Sequence, residues 1–260
     1  MTTLDQPQLF ESLPTARNTT TFVGNMKLPV HRWFRYSAGF SGEWVGSVVS
    51  EGDRVLDPFA GSGTTLLAAQ AAGAESFGID SQDFIHRVAN AKLAWTADPA
   101  ELLRRAAEVV ERHEPHHPVE PAPALLGKCY TEEVLADLLG LCRQLPEQPT
   151  GDSIDALLWL AVVSIIRVTS HAGTAQWQYV LPNKRKRSTT EVLAAYQAQI
   201  GLMVEDMRTM QRTVPTPPAA VNVEGDCRAE GVAPDGWATH VICSPPYANN
   251  YDYADATRLE

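Results

Sequence analysis

The chain has 260 residues, 44% of them hydrophobic and 20% charged, which is long and apolar enough for a globular core and excludes intrinsic disorder. The formal net charge of −10 excludes a uniformly basic surface for nucleic acid, although a local basic patch remains compatible with it. The four cysteines lack CxxC spacing, which predicts reduced thiols. The polar N-terminal residues contain no signal peptide, and the apolar run 156–166 is too short to span a membrane, so we expect a cytoplasmic location.

The first third of the chain predicts alternating strands and helices. Residues 1–28 are polar and are expected to form an irregular arm. The elements expected after it are a helix at 41–49, a buried strand at 54–57, a glycine-bearing loop at 58–63, a helix at 64–72, a strand at 75–80 and a helix at 84–93. A strand, glycine loop, helix, strand and acidic residue in this order form the opening βαβ unit of a doubly wound parallel sheet.

The pattern then becomes helical before strand character returns. Helical periodicity predicts helices at 101–113, 132–144, 154–169 and 190–211, and strands are predicted at 221–224 and 239–243. The proline-rich stretch 113–123 is expected to be a linker whose histidines are solvated, and no metal site is predicted. The predicted organisation is an arm at 1–28, a first half-domain at 29–95, a helical insertion at 96–218 and a return to the sheet at 219–260.

Residues 57–65, with the sequence DPFAGSGTT, form the first motif that indicates chemistry. Gly61 and Gly63 allow the backbone to approach a ligand closely, and their spacing differs from the GxGxxG pattern of dehydrogenases. Asp80 is expected at the end of the second strand. Its carboxylate could accept ribose hydroxyls or cap the following helix, and the two roles are compatible.

Residues 244–247, with the sequence SPPY, form the second motif and follow an apolar strand. Two prolines stiffen the loop and remove two N–H donors, Ser244 can accept a hydrogen bond from an amino group, and Tyr247 offers a face for stacking on a base. A plain strand-ending turn is the alternative for this motif taken alone. Cys243 precedes the serine and is interpreted as a buried strand residue.

The two motifs together resemble the DPFxGSGTT and (D/N/S)PPY motifs of S-adenosylmethionine-dependent amino DNA methyltransferases, and the serine form is most similar to the cytosine-N4 group. The resemblance covers roughly residues 28–95 and 220–260. It implies a Rossmann-like methyltransferase sheet, incomplete in this chain, with a large helical insertion that could recognise DNA. The implied cofactor is S-adenosylmethionine, and the implied substrate is double-stranded DNA with the target base flipped out.

The resemblance also assigns roles to residues. The expected cofactor-binding residues are Asp57, Pro58, Phe59, Ala60, Gly61, Ser62, Gly63, Thr64, Asp80 and Asp226, and the expected catalytic residues are Ser244, Pro245, Pro246 and Tyr247. Ser244 and the Pro245 carbonyl would accept the two N–H groups of the target amine, so that its lone pair faces the methyl group. Residues 31–40 resemble the opening of one branch of these enzymes. They are expected either to cover the methionine end of the cofactor or to serve as aromatic core.

A basic cluster is the candidate contact to the DNA backbone. Its residues are Lys184, Arg185, Lys186 and Arg187, and Trp177, Tyr179 and Asn183 lie just upstream. A mixture of basic and aromatic side chains suits phosphates and bases, while a solvated loop is the alternative.

Several alternatives to cytosine-N4 methylation remain open at this point. They are adenine-N6 methylation, RNA methylation and a non-catalytic cofactor-binding subunit. Thirteen residues follow Tyr247, whereas the resemblance implies three further strands. We therefore expect a split enzyme whose second polypeptide completes the sheet, in a restriction-modification or phage-defence context. Homodimerisation by strand exchange is the other possibility.

Overall fold

A computed structural model describes residues 22–36, 38–118, 123–175, 179–233, 235–246, 252 and 257–260. The helices are α1 Gly42–Val48, α2 Thr64–Ala71, α3 Asp83–Leu93, α4 Pro99–Glu111, α5 Ala124–Cys129, α6 Glu132–Cys142, α7 Ser153–Thr169 and α8 Val192–Thr213. The strands are β1 Arg54–Asp57, β2 Glu75–Asp80, β3 Ala172–Thr174, β4 Val180–Arg185, β5 Ala220–Glu224 and β6 His240–Val241. Short 3-10 helices span Phe22–Lys27, His31–Trp33 and Ala94–Thr96. The protein is therefore a mixed α/β structure.

A four-stranded parallel sheet has the order β5-β2-β1-β6. Leu56 of β1 pairs with Phe77 of β2 on one side and with Val241 of β6 on the other. In chain order the strands run third, second, first, fourth, so the direction of winding reverses between β1 and β6. The expected parallel sheet is confirmed, and the expected strand at 239–243 is shorter than predicted.

The glycine loop, residues 58–63, turns the chain from β1 into α2. Gly61 and Gly63 have φ values of 52° and 82°, a left-handed conformation that a side chain disfavours. Within the loop the Gly63 N–H donates to the Ala60 carbonyl, and the Ala60 N–H donates to Ile79 of β2. Helix α2 is buried from Thr64 to Gln70 because it packs between the sheet and α1. The loop is thus held on a rigid strand and a buried helix.

One large hydrophobic core joins the helical region to the first third of the chain. Its fully buried residues include Trp33, Trp95, Leu157, Tyr196 and Met203. Helix α3 packs on α7, and α8 packs on both α4 and α7. The domain boundary expected at residue 96 stays a prediction. The hydrophobic core contains residues from both sides of this boundary.

Two expectations about local structure differ from the fold. The irregular arm was expected to reach residue 28, but Phe22–Lys27 form a 3-10 helix, and Asn25 is fully buried. The Asn25 amide donates to the Phe40 carbonyl and accepts the Gly42 N–H, so this segment belongs to the packed structure. Residues 1–21 lie outside the described residues.

Neither α5 nor the β3–β4 hairpin was predicted. Both are short, and β4 contains Pro182 and basic residues rather than alternating apolar and polar residues.

No helix in the described part of the chain is long and apolar enough to cross a membrane.

Candidate active site

A cavity of about 710 Å³ opens where the loops that follow β1 and β6 meet. In open parallel sheets, ligands bind beyond the carboxyl ends of the strands where the winding direction reverses, which is this position. The lining residues are Tyr36, Ala38, Gly39, Phe40, Pro58, Phe59, Ala60, Gly61, Ser62, Thr64, Asp80, Ser81, Gln82, Gly225, Asp226, Cys227, Arg228, Ser244 and Pro246. The two sequence motifs therefore form one site.

Asp80 connects the glycine loop to the end of β2. One carboxylate oxygen accepts the Gly61 N–H at 2.8 Å, and the other accepts the Gln82 N–H at 2.9 Å. The N-cap of α3 is Gln82, so the helix-cap role considered for Asp80 is wrong. Each carboxylate oxygen has a second acceptor site, so Asp80 can hold the loop and also face a ligand in the cavity.

Asp57 lies behind the glycine loop, because its side chain is fully buried and does not line the cavity. It accepts hydrogen bonds from the Thr65 hydroxyl at 2.5 Å and from the Phe59 N–H at 3.0 Å. Burial raises the pKa of Asp57 to about 6. Gly63 is also absent from the lining. Asp57 and Gly63 therefore support the loop, and their assignment as cofactor-binding residues stays a prediction.

Ser62 has a buried hydroxyl in the cavity wall. This hydroxyl has no hydrogen-bond partner among the described residues. An unpaired buried hydroxyl costs roughly 1–3 kcal/mol, which a polar ligand group could recover. The site therefore fits a ligand with a hydrogen-bonding end near Ser62.

The Ser-Pro-Pro loop, residues 244–246, follows β6 directly. The Ile242 N–H donates to the Leu56 carbonyl and thereby fixes the start of this loop beside β1. Ser244 and Pro246 line the cavity, and Pro245 is exposed beside them. Tyr247 lies outside the described residues. Cys243 is half-buried just beyond the strand rather than buried within it, and burial raises its pKa.

Arg228 is a lining residue that the sequence reasoning missed. Its guanidinium donates to both carboxylate oxygens of Asp226, and this pairing lowers the pKa of Asp226 to about 2. The pair is exposed at the cavity rim. The sequence signal that could have found Arg228 is its position two residues after Asp226, which was itself predicted to bind the cofactor.

The opening segment, residues 28–36 and 38–40, forms the wall opposite the glycine loop. Trp33 and Phe34 are buried in the core, so the expectation of aromatic core residues is confirmed for them. Tyr36 and Phe40 line the cavity, and the expectation that this segment covers the methionine end of the cofactor stays a prediction. A Cβ atom at Gly61 would lie 3.3 Å from Tyr36 Cε1, which shows how closely the walls approach.

Val30 adopts a strained conformation in the opening segment. It has φ 65° and ψ −46°, and the His31 N–H donates to the Pro29 carbonyl at 2.7 Å, which closes a γ-turn of the rare positive-φ form. A β-branched residue in this region costs on the order of 1–3 kcal/mol and persists only where its surroundings impose it. Val30 is fully buried, so the strain is stored within the core.

Two buried titratable groups lie beside this turn. The Lys92 side-chain amino group donates to the carbonyls of His31 and Phe34 at 3.2 and 3.4 Å. Burial lowers the pKa of Lys92 to about 7. Burial, with the nearby Lys92 charge, lowers the pKa of His31 to about 3. Both groups therefore favour the neutral form inside the protein.

The basic cluster lies at and just beyond the end of β4 and is not uniform. Lys186 donates to the carbonyls of Arg167 and Ser170 at the end of α7, and burial lowers its pKa. Lys184, Arg185 and Arg187 are exposed. Upstream, the Tyr179 hydroxyl accepts the Asp252 N–H at 3.1 Å, while Trp177 lies outside the described residues.

Among the residues that the structure describes, one group of metal-ligand type lies outside the cavity. Asp83, His86 and Glu224 place potential ligand atoms within 4.8 Å of one another. Sequence reasoning missed it because α3 and β5 are distant in the chain. His113 and His116 instead interact with the Asp137 carbonyl and Arg143.

Comparisons with known proteins agree with the geometry. Residues 43–91 match the model of a DNA methylase family that acts on N6 or N4 amino groups. The chain is 27% identical over 277 aligned residues to the Type II methyltransferase M.BsoBI of Geobacillus stearothermophilus, which covers 94% of this chain and 54% of that protein. It is 40% identical over 81 residues to the Type II methyltransferase M.AvaI of Nostoc sp. and of Anabaena variabilis, covering 29% of this chain and 16% of each relative. No solved structure gives a significant match.

These similarities relate the chain to DNA methyltransferases of restriction-modification systems, whose methyl donor is S-adenosylmethionine. They do not separate cytosine-N4 from adenine-N6 enzymes. The chain spans about half the length of M.BsoBI and a smaller share of M.AvaI.

Proposed function

We propose that this chain carries the cofactor pocket and catalytic loop of a DNA methyltransferase that acts on an exocyclic amino group, with cytosine N4 as the target. The observation that carries the proposal is the meeting of the glycine loop and the Ser-Pro-Pro loop in one cavity. These loops follow adjacent strands at the reversal point of the sheet, as expected for a doubly wound, Rossmann-like methyltransferase fold.

The cavity wall offers suitable partners for each part of S-adenosylmethionine. The unpartnered Ser62 hydroxyl suits the polar methionine end, the Asp80 carboxylate suits the ribose hydroxyls, and Asp226 suits the adenine amino group. Gly61 leaves space beside Tyr36 that a side chain would fill. When bound, the cofactor supplies an electrophilic methyl group on its sulfonium.

Ser244 and Pro245 would prepare the amine for transfer. An exocyclic amine is conjugated with its ring and is a weak nucleophile. Hydrogen bonds from its two N–H groups to the Ser244 hydroxyl and the Pro245 carbonyl favour a pyramidal nitrogen with an available lone pair. Positioning, with no covalent enzyme intermediate, would then account for transfer. Tyr247 is proposed to stack on the flipped base.

Ser244→Ala tests the catalytic assignment. In the active enzyme we expect methyl transfer to fall on the order of 100-fold, because one positioned hydrogen-bond partner is lost from the reacting centre. Calorimetric affinity for S-adenosylhomocysteine should change little, since Ser244 acts on the base. Ser47→Ala is the matched control, because its hydroxyl is exposed and donates to the Trp44 carbonyl within its own helix. Equal activity of the two variants would contradict the assignment.

The modified nucleoside tests the target. Mass spectrometry of digested product DNA should show N4-methylcytosine. Detection of N6-methyladenine alone would overturn the cytosine assignment and leave the catalytic loop in place. Labelled RNA and DNA substrates offered in parallel should show transfer to DNA.

The exposed members of the basic cluster are proposed to contact DNA phosphates. Replacing Lys184, Arg185 and Arg187 by Gln should weaken DNA binding and lower its salt dependence by about one charge's worth of slope for each lost contact. Lys186→Gln is the control, because its ammonium is engaged by α7 carbonyls. It should lower stability and leave the salt slope unchanged. If the salt dependence of DNA binding is unchanged in the triple variant, the cluster is a solvated loop that does not contact DNA.

The expected second polypeptide stays a prediction, because a chain that spans half of a relative can itself be part of a longer protein. Val221 and Val241 are 45% and 63% exposed on a parallel sheet, a kind of sheet that is ordinarily covered on both faces. Additional protein on this face would remove that apolar surface from water. Light scattering of the purified chain should show association, and an active monomer would contradict the prediction.

A further inference from the structure

A single buried carboxylate on α8 holds the opening segment. Asp206 is 1% exposed and lies 176 positions from the strained turn. Its Oδ2 accepts the Val30 N–H at 3.0 Å, the Trp33 indole N–H at 2.9 Å and the Arg32 Nε–H at 3.0 Å. Its Oδ1 accepts a second Arg32 donor at 2.6 Å. Four donors from one short segment thus converge on one side chain.

The donors that Asp206 binds include the N–H of the strained residue itself. A positive φ at buried Val30 persists only if the surrounding contacts impose it. Gln199, also on α8, adds a hydrogen bond to the Trp33 carbonyl at 3.2 Å. The conformation of this turn therefore depends on how α8 is seated.

The same segment continues directly into the cavity wall. Tyr36 lines the cavity six positions after Val30, and its ring lies against the glycine loop at Gly61. The chain between the turn and Tyr36 is anchored by buried Trp33 and Phe34. A change in the turn would accordingly be transmitted to Tyr36 through packed residues.

We propose that Asp206 is a positioning residue that couples the seating of α8 to the affinity of the cofactor pocket. It holds residues 30–33 in the strained turn and so places Tyr36 against the bound ligand. The inference rests on the proposed function of the cavity as an S-adenosylmethionine site. Because coupling between two sites is reciprocal, ligand binding should in turn stabilise α8.

Asp206→Asn tests the coupling in the full chain. The amide retains the shape of the side chain, but its NH₂ group faces N–H donors, so at least one of the four hydrogen bonds is lost. We expect affinity for S-adenosylhomocysteine to fall about tenfold by calorimetry. Hydrogen exchange at residues 28–36 should accelerate, and ligand-dependent protection of α8 should disappear.

Gln211→Ala is the matched control on the same helix. Gln211 donates to the carbonyls of Trp95 and Ala97 and contacts no residue of the opening segment through these bonds. Gln211→Ala and Asp206→Asn should both lower the melting temperature, but Gln211→Ala should preserve ligand affinity. Should Asp206→Asn fail to fold, Arg32→Gln removes the ion pair from the exposed side and should weaken affinity less.

The outcomes separate the two proposals. Wild-type affinity in Asp206→Asn, or an equal loss in Gln211→Ala, overturns the positioning role and leaves the cofactor assignment intact. If the wild-type chain binds no S-adenosylhomocysteine, the cofactor assignment fails. Hydrogen exchange then still decides whether Asp206 holds the opening segment, because unchanged exchange at residues 28–36 overturns it.

Discussion

The two walls of the cavity are stabilised in different ways. The glycine loop is held by groups close in sequence, since Asp57 binds Thr65 and Phe59, and Asp80 binds Gly61. The opening segment is held by Lys92 and Asp206, which lie far along the chain. The hydrogen bonds of one wall therefore lie within residues 57–80, whereas the other wall requires the packed helical region.

The buried titratable groups behind the two walls should change the stability of the fold in opposite directions as pH rises. A carboxyl whose pKa is raised in the folded state stabilises the fold at low pH, and this contribution is lost as pH rises through the folded value. Asp57 is such a group. The lowered pKa values of His31 and Lys92 act in the other sense, because the unfolded state binds more protons between the two values and stability rises with pH.

Lys92→Met should produce the largest change. Wild-type stability should gain about 1.4 kcal/mol for each pH unit from Lys92 as pH rises from near 7 towards the ordinary lysine value of 10.5. The variant should lack that gain. Urea unfolding between pH 6 and roughly 10 measures the difference, and parallel curves for the two proteins would exclude a buried neutral Lys92.

Asp57→Asn should have a smaller effect in an acidic window. The wild type loses stability as pH rises from near 4 to about 6, because the folded carboxyl must ionise while buried. The asparagine variant removes this loss, and the Thr65 hydroxyl can rotate to accept from the amide. Thermal unfolding without ligand compares the two proteins. If the difference in stability between the two proteins instead increases below pH 4, the pKa of Asp57 is lowered rather than raised, and the interpretation is rejected.

Asp80→Ala should give the smallest of these free-energy changes, at the cavity itself. Loss of the hydrogen bond to Gly61 and of a ligand contact should weaken S-adenosylhomocysteine binding about tenfold. Asp226→Ala is the control, since that exposed carboxylate is paired with Arg228 and should contribute less. Equal losses of affinity in Asp80→Ala and Asp226→Ala would contradict the prediction that Asp80 contributes more to binding than the exposed Asp226.

Much of the sheet and its loops could be predicted from the sequence. Strands β1 and β2 lie where the pattern predicted them, because each has a short apolar or small segment between charged residues, bounded by turns, as expected in a βαβ unit. The boundaries of α7 and α8 differ by only a few residues from the prediction. The hairpin was missed because β3 has three residues and no alternation.

The candidate site was predictable to the extent that its residues are contiguous. The glycine loop and the Ser-Pro-Pro loop are recognisable as short motifs, and they meet in the cavity. Arg228 belongs to no motif of comparable length, and Asp57 could not be placed behind the wall without knowledge of its burial.

The sequence by itself determined the order of the strands along the chain, the two loops and the chemical groups that they offer. Only the tertiary structure decided that Asp206 holds Val30, that Lys92 is buried among carbonyls and that Lys186 caps α7. The physical reason is the separation along the chain over which each kind of interaction acts. Turn and strand preferences act over a few residues, whereas burial and the convergence of donors on one carboxylate arise when distant segments pack together.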